Sequence, residues 1–206
     1  MDIFFLEDKS KTVGIFKIFI KQAENEFESS VVKVRCDNSS EFQNTQVEEL
    51  CNEIGIKHEF SSTYTPQQNG VVERKNKTLI TLSRAIRDDY VISQRFWTEA
   101  VNTACHASNR VYLHKFLKKT PYELLVGRKH NISYFRVFGC KCYIFKKRKH
   151  LGKFESRCDV GFLVGYSSNS KAYRVFNNGS RMIEETCDVE FDETNGSKGK
   201  NFLVMM

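Results

Sequence analysis

Hydrophobic residues recur at two different spacings along the chain, and the spacing changes near residue 130. Before that point they recur every three to four positions, which is typical of amphipathic helices. This spacing predicts helices over about 12–27, 45–54, 71–87 and 94–112. After Ser133 short apolar stretches alternate with turn residues, which is typical of small β domains. They predict strands over 137–145, 160–166, 172–176 and 182–191.

The first part of the chain also contains short β-type stretches between its helices. Strands are predicted at Ile3–Leu6, Val31–Cys36 and Ile56–Phe60, where β-branched and aromatic residues cluster. The region before residue 130 is therefore predicted to be α/β, and the region after it to be a small barrel or roll.

Several residues carry signals for helix ends or buried faces. The pairs Thr45/Glu48 and Thr120/Glu123 have the spacing of a capping box, and Gly55 and Gly127 stand where a helix should end. The side chains expected on buried helix faces are Val72, Leu79, Leu82 and Ile86 in one helix and Phe96, Trp97, Ala100, Val101, Ala104 and Cys105 in the next.

The charge of the chain is basic and unevenly distributed. The 206 residues have a formal net charge of +7. Between Arg110 and Arg157 there are 14 Lys and Arg residues against two acids, and Glu184–Glu193 contains six acids and no base. Such a distribution suits either a polyanion-binding surface or an ordinary solvated face.

Composition also restricts the environment of the protein. No apolar run approaches the roughly 18–20 residues that a membrane helix needs, so a membrane partner is not expected. The seven cysteines are odd in number and irregular in spacing. We therefore expect reduced thiols in an intracellular protein and no zinc site.

Two acidic residues stand where elements of the α/β region end or begin. Asp37 follows a predicted strand and Glu73 lies in the first turn of a predicted helix, with 35 residues between them. Two carboxylates that converge there could hold a divalent cation, yet either position is also common for an ordinary structural acid.

The sequence around these acids resembles a known family. Residues 35–42 read Arg-Cys-Asp-Asn-Ser-Ser-Glu-Phe, and residues 64–76 read Tyr-Thr-Pro-Gln-Gln-Asn-Gly-Val-Val-Glu-Arg-Lys-Asn. Both are similar to the aspartate and glutamate motifs of retroviral-type integrases. The stretches at 96–100, 109–110, 120–123, 136–140 and 162–166 resemble the continuation found in copia-type (pseudovirus) retrotransposon Pol polyproteins.

The resemblance implies a fold, a domain order and a reaction. The fold class is α/β, a truncated ribonuclease-H-like integrase core over residues 1–130 followed by a small SH3-like β-barrel over 131–193, with a disordered tail at 194–206. The reaction is metal-dependent 3′-end processing and strand transfer in DNA integration. The implied partners are retroelement and target DNA and further copies of the chain, in the nucleus or a cytoplasmic retroelement particle.

The resemblance also implies roles for individual residues. Asp37 and Glu73 would be catalytic ligands of Mg²⁺ or Mn²⁺. The DNA contacts would be Lys77, Arg74, Lys75, Gln67 and Asn69. Independently of the resemblance, a basic strand and turn in the β region predict sequence-independent DNA binding through Lys146, Lys147, Arg148 and Lys149.

Two expected parts of the family pattern are not found in these 206 residues. A first catalytic Asp and a His/Cys zinc module would precede Met1. We therefore expect little strand-transfer activity from the chain alone. The alternatives are a non-catalytic DNA-binding remnant that acts through its basic surface and a structural or adaptor protein recruited from the element.

Overall fold

The computed structural model describes residues 2–37, 39, 42–62, 69–90, 92–146 and 156–195. The chain divides into two compact units. Residues 4–76 form one unit, and residues 77–206 with residues 1–3 form the other.

The unit of residues 4–76 contains two helices and a pair of parallel strands. Its elements are helix α1 (Thr12–Phe27), strand β1 (Lys33–Cys36), helix α2 (Thr45–Ile54), strand β2 (Lys57–Phe60) and the beginning of helix α3 (Gly70–Asp88). The apolar faces of α1 and α2 meet in a core formed by Phe16, Ile20, Val47, Leu50, Cys51 and Ile56. This core is the physical reason that both helices form, since short helices gain most of their stability from packing.

The ends of α2 differ in part from the sequence-based prediction. The residue that caps the helix is Asn44, whose Oδ1 accepts a hydrogen bond from the backbone N–H of Val47 at 2.8 Å. Thr45 is already the first helical residue, so the prediction of Thr45 as the cap is wrong. Gly55 ends the helix at φ = 78°, as predicted, because glycine adopts this left-handed conformation without steric cost.

The predicted strand at Ile3–Leu6 is not formed. Residues 2–6 have no regular secondary structure, and the sheet that contains β1 consists of β1 and β2 among the described residues. An extended segment without a neighbouring strand has no ladder of backbone hydrogen bonds to join. Ile3 packs instead beside Leu79 and Ala104.

The other unit contains the rest of α3, helices α4 (Trp97–Val111) and α5 (Pro121–Val126), and a five-stranded sheet. The strands are β3 (Lys141–Phe145), β4 (Cys158–Tyr166), β5 (Tyr173–Asn177), β6 (Ile183–Thr186) and β7 (Val189–Asp192). The first predicted strand is shorter than expected, and the predicted strand at 182–191 is two strands, β6 and β7. Helix α5 has the predicted capping box between Thr120 and Glu123.

The sheet is antiparallel throughout, in the order β6-β5-β4-β3-β7. A register shift in β4 between Leu163 and Gly165 bends the strand, as β-bulges do. Gly161 in the same strand lies so close to β5 that an added Cβ would stand 2.2 Å from the carbonyl oxygen of Phe176. The two strands can therefore lie this close together only with glycine at position 161.

Helix α4 packs against the sheet. Phe96 and Ala100 share a buried cluster with Phe138, Val164 and Phe176. The hydroxyl of Thr103 donates to the carbonyl oxygen of Val164 at 3.2 Å. The helix and the sheet are thus one packed structure, although the sequence placed them on opposite sides of residue 130. The limits 1–130, 131–193 and 194–206 stay predictions.

Two side chains predicted to lie on buried helix faces are exposed. Val72 is 62% exposed near the start of α3, and Trp97 is 52% exposed at the start of α4. Both lie in the first turn of a helix, where the neighbouring chain covers less of the surface than it does at Leu79 or Ala104. Of the helices described, none is long and apolar enough to cross a membrane.

Candidate functional site

The carboxyl ends of β1 and β2 lie side by side. Cys36, the last residue of β1, is paired in parallel register with Phe60, the last residue of β2. The backbone N–H of Ser61 donates to the carbonyl oxygen of Cys36 at 3.0 Å and extends the ladder by one step. Asp37 and Ser61 therefore emerge together at this edge, which in α/β sheets is the usual edge for ligand sites.

The carboxylate of Asp37 is exposed at the end of β1. Its Oδ1 accepts a hydrogen bond from the backbone N–H of Ser39 at 3.2 Å, which is the local turn that Asp favours after a strand. The acid is thus presented to solvent at the edge, in a position from which it can bind a cation.

The neighbouring thiol of Cys36 is unsuited to nucleophilic chemistry. Burial, together with the nearby Asp37 carboxylate and Cys51 thiol, raises the pKa of Cys36 to about 11. Because the thiolate is the nucleophile of cysteine, a group held protonated at neutral pH contributes packing only.

The start of α3 is connected to the same edge through Ser61. The side-chain amide of Asn69 donates to Oγ of Ser61 at 2.9 Å, and the backbone N–H of Glu73 donates to the carbonyl oxygen of Asn69 at 3.0 Å. Glu73 lies in the first turn of α3, and its side chain is exposed. Three hydrogen bonds therefore connect the last residue of β1 with the backbone of Glu73.

The donor set at this edge fits a hard divalent cation in kind. Asp37 and Glu73 offer carboxylate oxygens, which Mg²⁺ and Mn²⁺ prefer over nitrogen or sulfur ligands. In the part of the chain that the structure describes, no group of three or more His, Cys, Asp or Glu residues could hold a metal ion. As ligand types, the two acids therefore match Mg²⁺ or Mn²⁺.

Three of the predicted DNA contacts follow Glu73 on α3. Arg74, Lys75 and Lys77 are all exposed. Lys77 is four residues after Glu73, the separation that places two side chains on one face of a helix. The guanidinium of Arg74 lies over Gly70, where an added Cβ would stand 3.1 Å from its Nη1.

The remaining predicted contacts are only partly described. Gln67, Lys147, Arg148 and Lys149 lie outside the described residues. Lys146 follows β3, and its Nζ forms an ion pair with Oδ1 of Asp159 at 2.9 Å. Part of its charge is therefore matched within the sheet.

Sequence reasoning missed Ser61. Its backbone and hydroxyl connect β1 with Asn69. Its position directly after a strand that ends at the same edge as β1 was the signal that could have identified it. Asn69, predicted as a DNA contact, has its amide directed to Ser61.

Two family profiles match parts of the chain. The family described as retroviral polymerase SH3-like domain matches residues 140–202, and the family described as TnsB C-terminal domain matches residues 5–86. Together with the parallel strands of the first unit and the antiparallel sheet of the second, the SH3-like match confirms an α/β region followed by an SH3-like β region.

Curated relatives match nearly the whole chain. The retrovirus-related Pol polyprotein from transposon TNT 1-94 of Nicotiana tabacum is 28% identical over 192 residues, which is 93% of this chain and 14% of that protein. The corresponding polyprotein from transposon RE2 of Arabidopsis thaliana is 27% identical over 188 residues, or 91% and 13%. The chain thus spans less than one-sixth of the length of these relatives.

Solved structures that are similar to part of the chain include two integrase catalytic core domains. The HTLV-2 domain in complex with magnesium gives a TM-score of 0.44 at 22% identity, over 58% of this chain and 71% of that one. The BIV domain gives 0.45 at 23% identity, over 61% and 76%.

The resemblance predicted from the two acidic motifs is confirmed by the relatives, which align from the α/β region into the SH3-like region. Over nearly its whole length, this chain is similar to the integrase-like region of copia-type retrotransposon Pol polyproteins.

Proposed function

We propose that the chain carries part of the active site of a DNA-integrating polynucleotidyl transferase, with Asp37 and Glu73 as two of its metal-binding carboxylates. The observation that carries the proposal is the series of hydrogen bonds from Cys36 through Ser61 and Asn69 to Glu73. This series connects the aspartate and glutamate motifs identified in the sequence.

In this proposal Asp37 and Glu73 would hold Mg²⁺ or Mn²⁺ through their carboxylate oxygens. A divalent cation at such a site activates a water or a 3′-hydroxyl and stabilises the leaving oxygen of a phosphodiester. The chain's own residues position the acids, since Ser61 and Asn69 connect the strand end to the helix start. Both acids are exposed, so a DNA strand can reach them from solvent.

The exposed cations of α3 would hold the DNA backbone beside this site. Lys77, Arg74 and Lys75 follow Glu73 within about one helical turn. Ammonium and guanidinium groups bind phosphates without reading sequence, which suits a protein that must accept many target sites. Gln67, Lys147, Arg148 and Lys149 are proposed as further contacts. The partners would be element and target DNA, with further copies of the chain, in the nucleus or a retroelement particle.

A second candidate function is DNA binding without catalysis. It is favoured by the exposed cations Arg74, Lys75 and Lys77 of α3, which can hold a DNA backbone without a metal ion. Phosphodiester transfer by this class of site uses two metal ions clamped by several acids, whereas backbone binding needs only the cations of α3 and the β region.

Metal-directed cleavage of the protein tests the proposed pair. Fe²⁺ replaces Mg²⁺ in carboxylate sites and, with ascorbate and peroxide, cuts the polypeptide beside the bound ion. We expect cuts near residues 37 and 73 of the full chain, and competition by Mg²⁺. Asp37→Asn and Glu73→Gln should each abolish both cuts, because the ion needs both acids.

The matched control is Glu48→Gln, which removes an exposed acid from the first turn of α2. It should leave the cleavage pattern unchanged. Cuts at only one of the two positions, or cuts that persist in Asp37→Asn, would show that the two acids do not share an ion. DNA binding that survives while no cuts appear would select the second candidate function.

A further inference from the structure

The segment that joins α4 to α5 exposes an unusual number of large apolar side chains. Phe116 is 81% exposed at the middle of the connection. Around it, the exposed apolar side chains on the two flanks are Tyr112, Leu113, Leu117, Leu124 and Leu125. We call these six residues the α4–α5 surface. Soluble proteins seldom leave such a cluster uncovered unless a partner binds there.

The loop that presents Phe116 is held in one shape by backbone hydrogen bonds. The N–H of His114 donates to the carbonyl oxygen of Lys119 at 2.8 Å, and the N–H of Lys118 donates back to the carbonyl oxygen of His114 at 2.9 Å. The Nδ1 of His114 accepts from the N–H of Leu117 at 3.3 Å. Phe116 and Leu117 are therefore held outward at the tip of a closed turn, and binding would cost little ordering of the loop.

The two helices that flank the loop are tied to each other. The guanidinium carbon of Arg110 in α4 lies 5.0 Å from the ring centre of Tyr122 in α5, a cation–π contact. Thr120 is buried and begins α5 through its capping box. The loop that carries Phe116 is therefore held at both of its ends, with exposed apolar side chains before and after it in the chain.

The charges around this surface have one sign. From residue 110 to residue 129 there are six Lys and Arg residues and a single acid, Glu123. The carboxylate of Glu123 accepts the N–H of Thr120 at 3.0 Å and is therefore engaged in the helix cap. Five of the six cations, all except Arg110, are exposed, so a partner that covers the apolar side chains would meet positive charge.

We propose that the α4–α5 surface is a docking site for an acidic amphipathic segment of a partner protein. Apolar residues of the segment would cover Phe116, Leu117 and the leucines of the flanks, and its acids would face the surrounding lysines. Such helix-in-groove or segment-on-patch binding is a common mode of peptide recognition. This site is separate in sequence from the residues of the proposed DNA-joining function.

The composition of the surface favours protein over nucleic acid or lipid. Four of its six side chains are leucines, which have no flat face for stacking on bases, and the ammonium of Lys115 already lies 5.8 Å from the ring centre of Phe116. Helix α5 has six residues and the loop is closed on itself, so no long amphipathic helix is available to lie in a membrane interface. A protein segment matches both the aliphatic surface and its positive border.

The test uses the full 206-residue chain and a labelled synthetic peptide. The peptide has about 18 residues, roughly five helical turns, with Leu on one face and Glu on the other. We expect saturable binding by fluorescence anisotropy. Phe116→Ser combined with Leu117→Ser should weaken it by about tenfold or more, because buried aromatic anchors carry most of the energy of such interfaces.

Matched controls separate this proposal from its alternatives. Phe27→Ser removes an exposed aromatic side chain at the end of α1 and should leave peptide binding unchanged. The Phe116/Leu117 variant should keep its DNA affinity and its iron-directed cuts, so failure here is distinguishable from failure of the proposed function.

Three outcomes would overturn the proposal. One is equally tight binding of a peptide in which every Leu is replaced by Ser, because binding would then depend on charge and not on apolar contacts. Another is Phe116-dependent binding of phosphatidylcholine–phosphatidylserine vesicles in preference to the peptide. The third is a loss of duplex-DNA affinity in the Phe116/Leu117 variant, which would assign the surface to nucleic acid.

Discussion

The side-chain amide of Asn69 donates a hydrogen bond to the hydroxyl of Ser61 at 2.9 Å. Ser61 is in turn hydrogen-bonded to the last residue of β1, and Asn69 accepts the backbone N–H of Glu73. This polar contact between two loop residues therefore connects the start of α3 to the end of the parallel strands.

Asn69→Ala should lower the free energy of unfolding by about 1 kcal/mol, the usual net value of a partly buried hydrogen bond. It should also weaken the iron-directed cut near residue 73, because the first turn of α3 loses its anchor. A double-mutant cycle with Ser61→Ala, measured by urea denaturation, should give a coupling energy of about 0.5–1.5 kcal/mol. Asn76→Ala, on the exposed part of α3, is the control and should change stability by less than about 0.5 kcal/mol.

Strand transfer by the chain alone should be slight. Asp37 and Glu73 are two of the proposed metal ligands, and phosphodiester transfer of this class uses two metal ions held by several acids, so we expect the two acids alone to support little reaction. The measurement is joining of a labelled DNA end to a plasmid in Mg²⁺ or Mn²⁺. Robust joining that disappears in Asp37→Asn would contradict this expectation and show that the pair is sufficient.

DNA binding should depend steeply on salt and little on sequence. Each phosphate that a lysine neutralises contributes about 0.9 to the slope of log K against log salt. Lys75→Gln and Lys77→Gln should each reduce the slope by about that amount, measured by anisotropy with a duplex of random sequence. Lys21→Gln, an exposed position on α1, is the control. An affinity that is equal at about 0.1 and 0.3 M salt would contradict electrostatic binding.

The parts of the fold that depend on local chemistry were predictable from the sequence. The spacing of apolar residues predicted α1 with its observed bounds, and the cap formed by Thr120, Pro121 and Glu123 predicted the start of α5. In these cases the signal and the structure it specifies lie within a few residues of each other.

The predictions that failed concern tertiary packing, that is, which side chains are covered by distant segments of the chain. Val72 and Trp97 have the right spacing for a buried face, but each stands in a first helical turn and is exposed. The packing of Phe96 and Ala100 on Val164 joins segments more than 60 residues apart, which no local pattern reports. At the candidate site the two acids were identified by motif, whereas Ser61 was missed because its role is a hydrogen bond to another loop.

An ion-pair group fixes α4 to the sheet and should contribute to stability. Arg174 in β5 forms a two-bond contact with Glu99 of α4, at 2.7 and 3.1 Å, and a third bond to Glu185 of β6 at 2.9 Å. The side chain of Glu99 is only 14% exposed, so Arg174→Gln would leave a poorly hydrated carboxylate. We expect a loss of about 1–2 kcal/mol in the free energy of unfolding.

The conservative variant Arg174→Lys should recover only part of this loss, because an ammonium cannot form the forked contact with Glu99. Glu185→Gln is the control, because it removes only the solvent-exposed bond to Arg174. It should lower the free energy of unfolding only slightly. The free energy of unfolding is measured by denaturation, with the fluorescence of Trp97 as the signal. If Arg174→Gln leaves it unchanged, the apolar cluster alone holds α4 against the sheet.

Acid should destabilise the unit that contains α4, and His106 should be a main cause. Burial, helped by the charge of Arg110 and by His130, lowers the pKa of His106 to about 3, and burial and Arg110 also lower the pKa of His130. In the unfolded chain these groups take up protons near pH 6.5. Between pH 6.5 and 3 the unfolded state therefore binds more protons, and stability falls as the pH falls through this range.

The thermal midpoint, followed by the fluorescence of Trp97, the single tryptophan, should therefore drop between pH 7 and pH 5. At pH 5 the titration of His106 lowers the free energy of unfolding by at most about 2 kcal/mol. The loss is smaller to the extent that solvent reaches the ring. His106→Gln should flatten the pH dependence, because the ring packed on Tyr166 and its titration are both removed. His114→Gln, in the exposed loop after α4, is the control, and an equal flattening by both variants would mean that burial of His106 is not its cause.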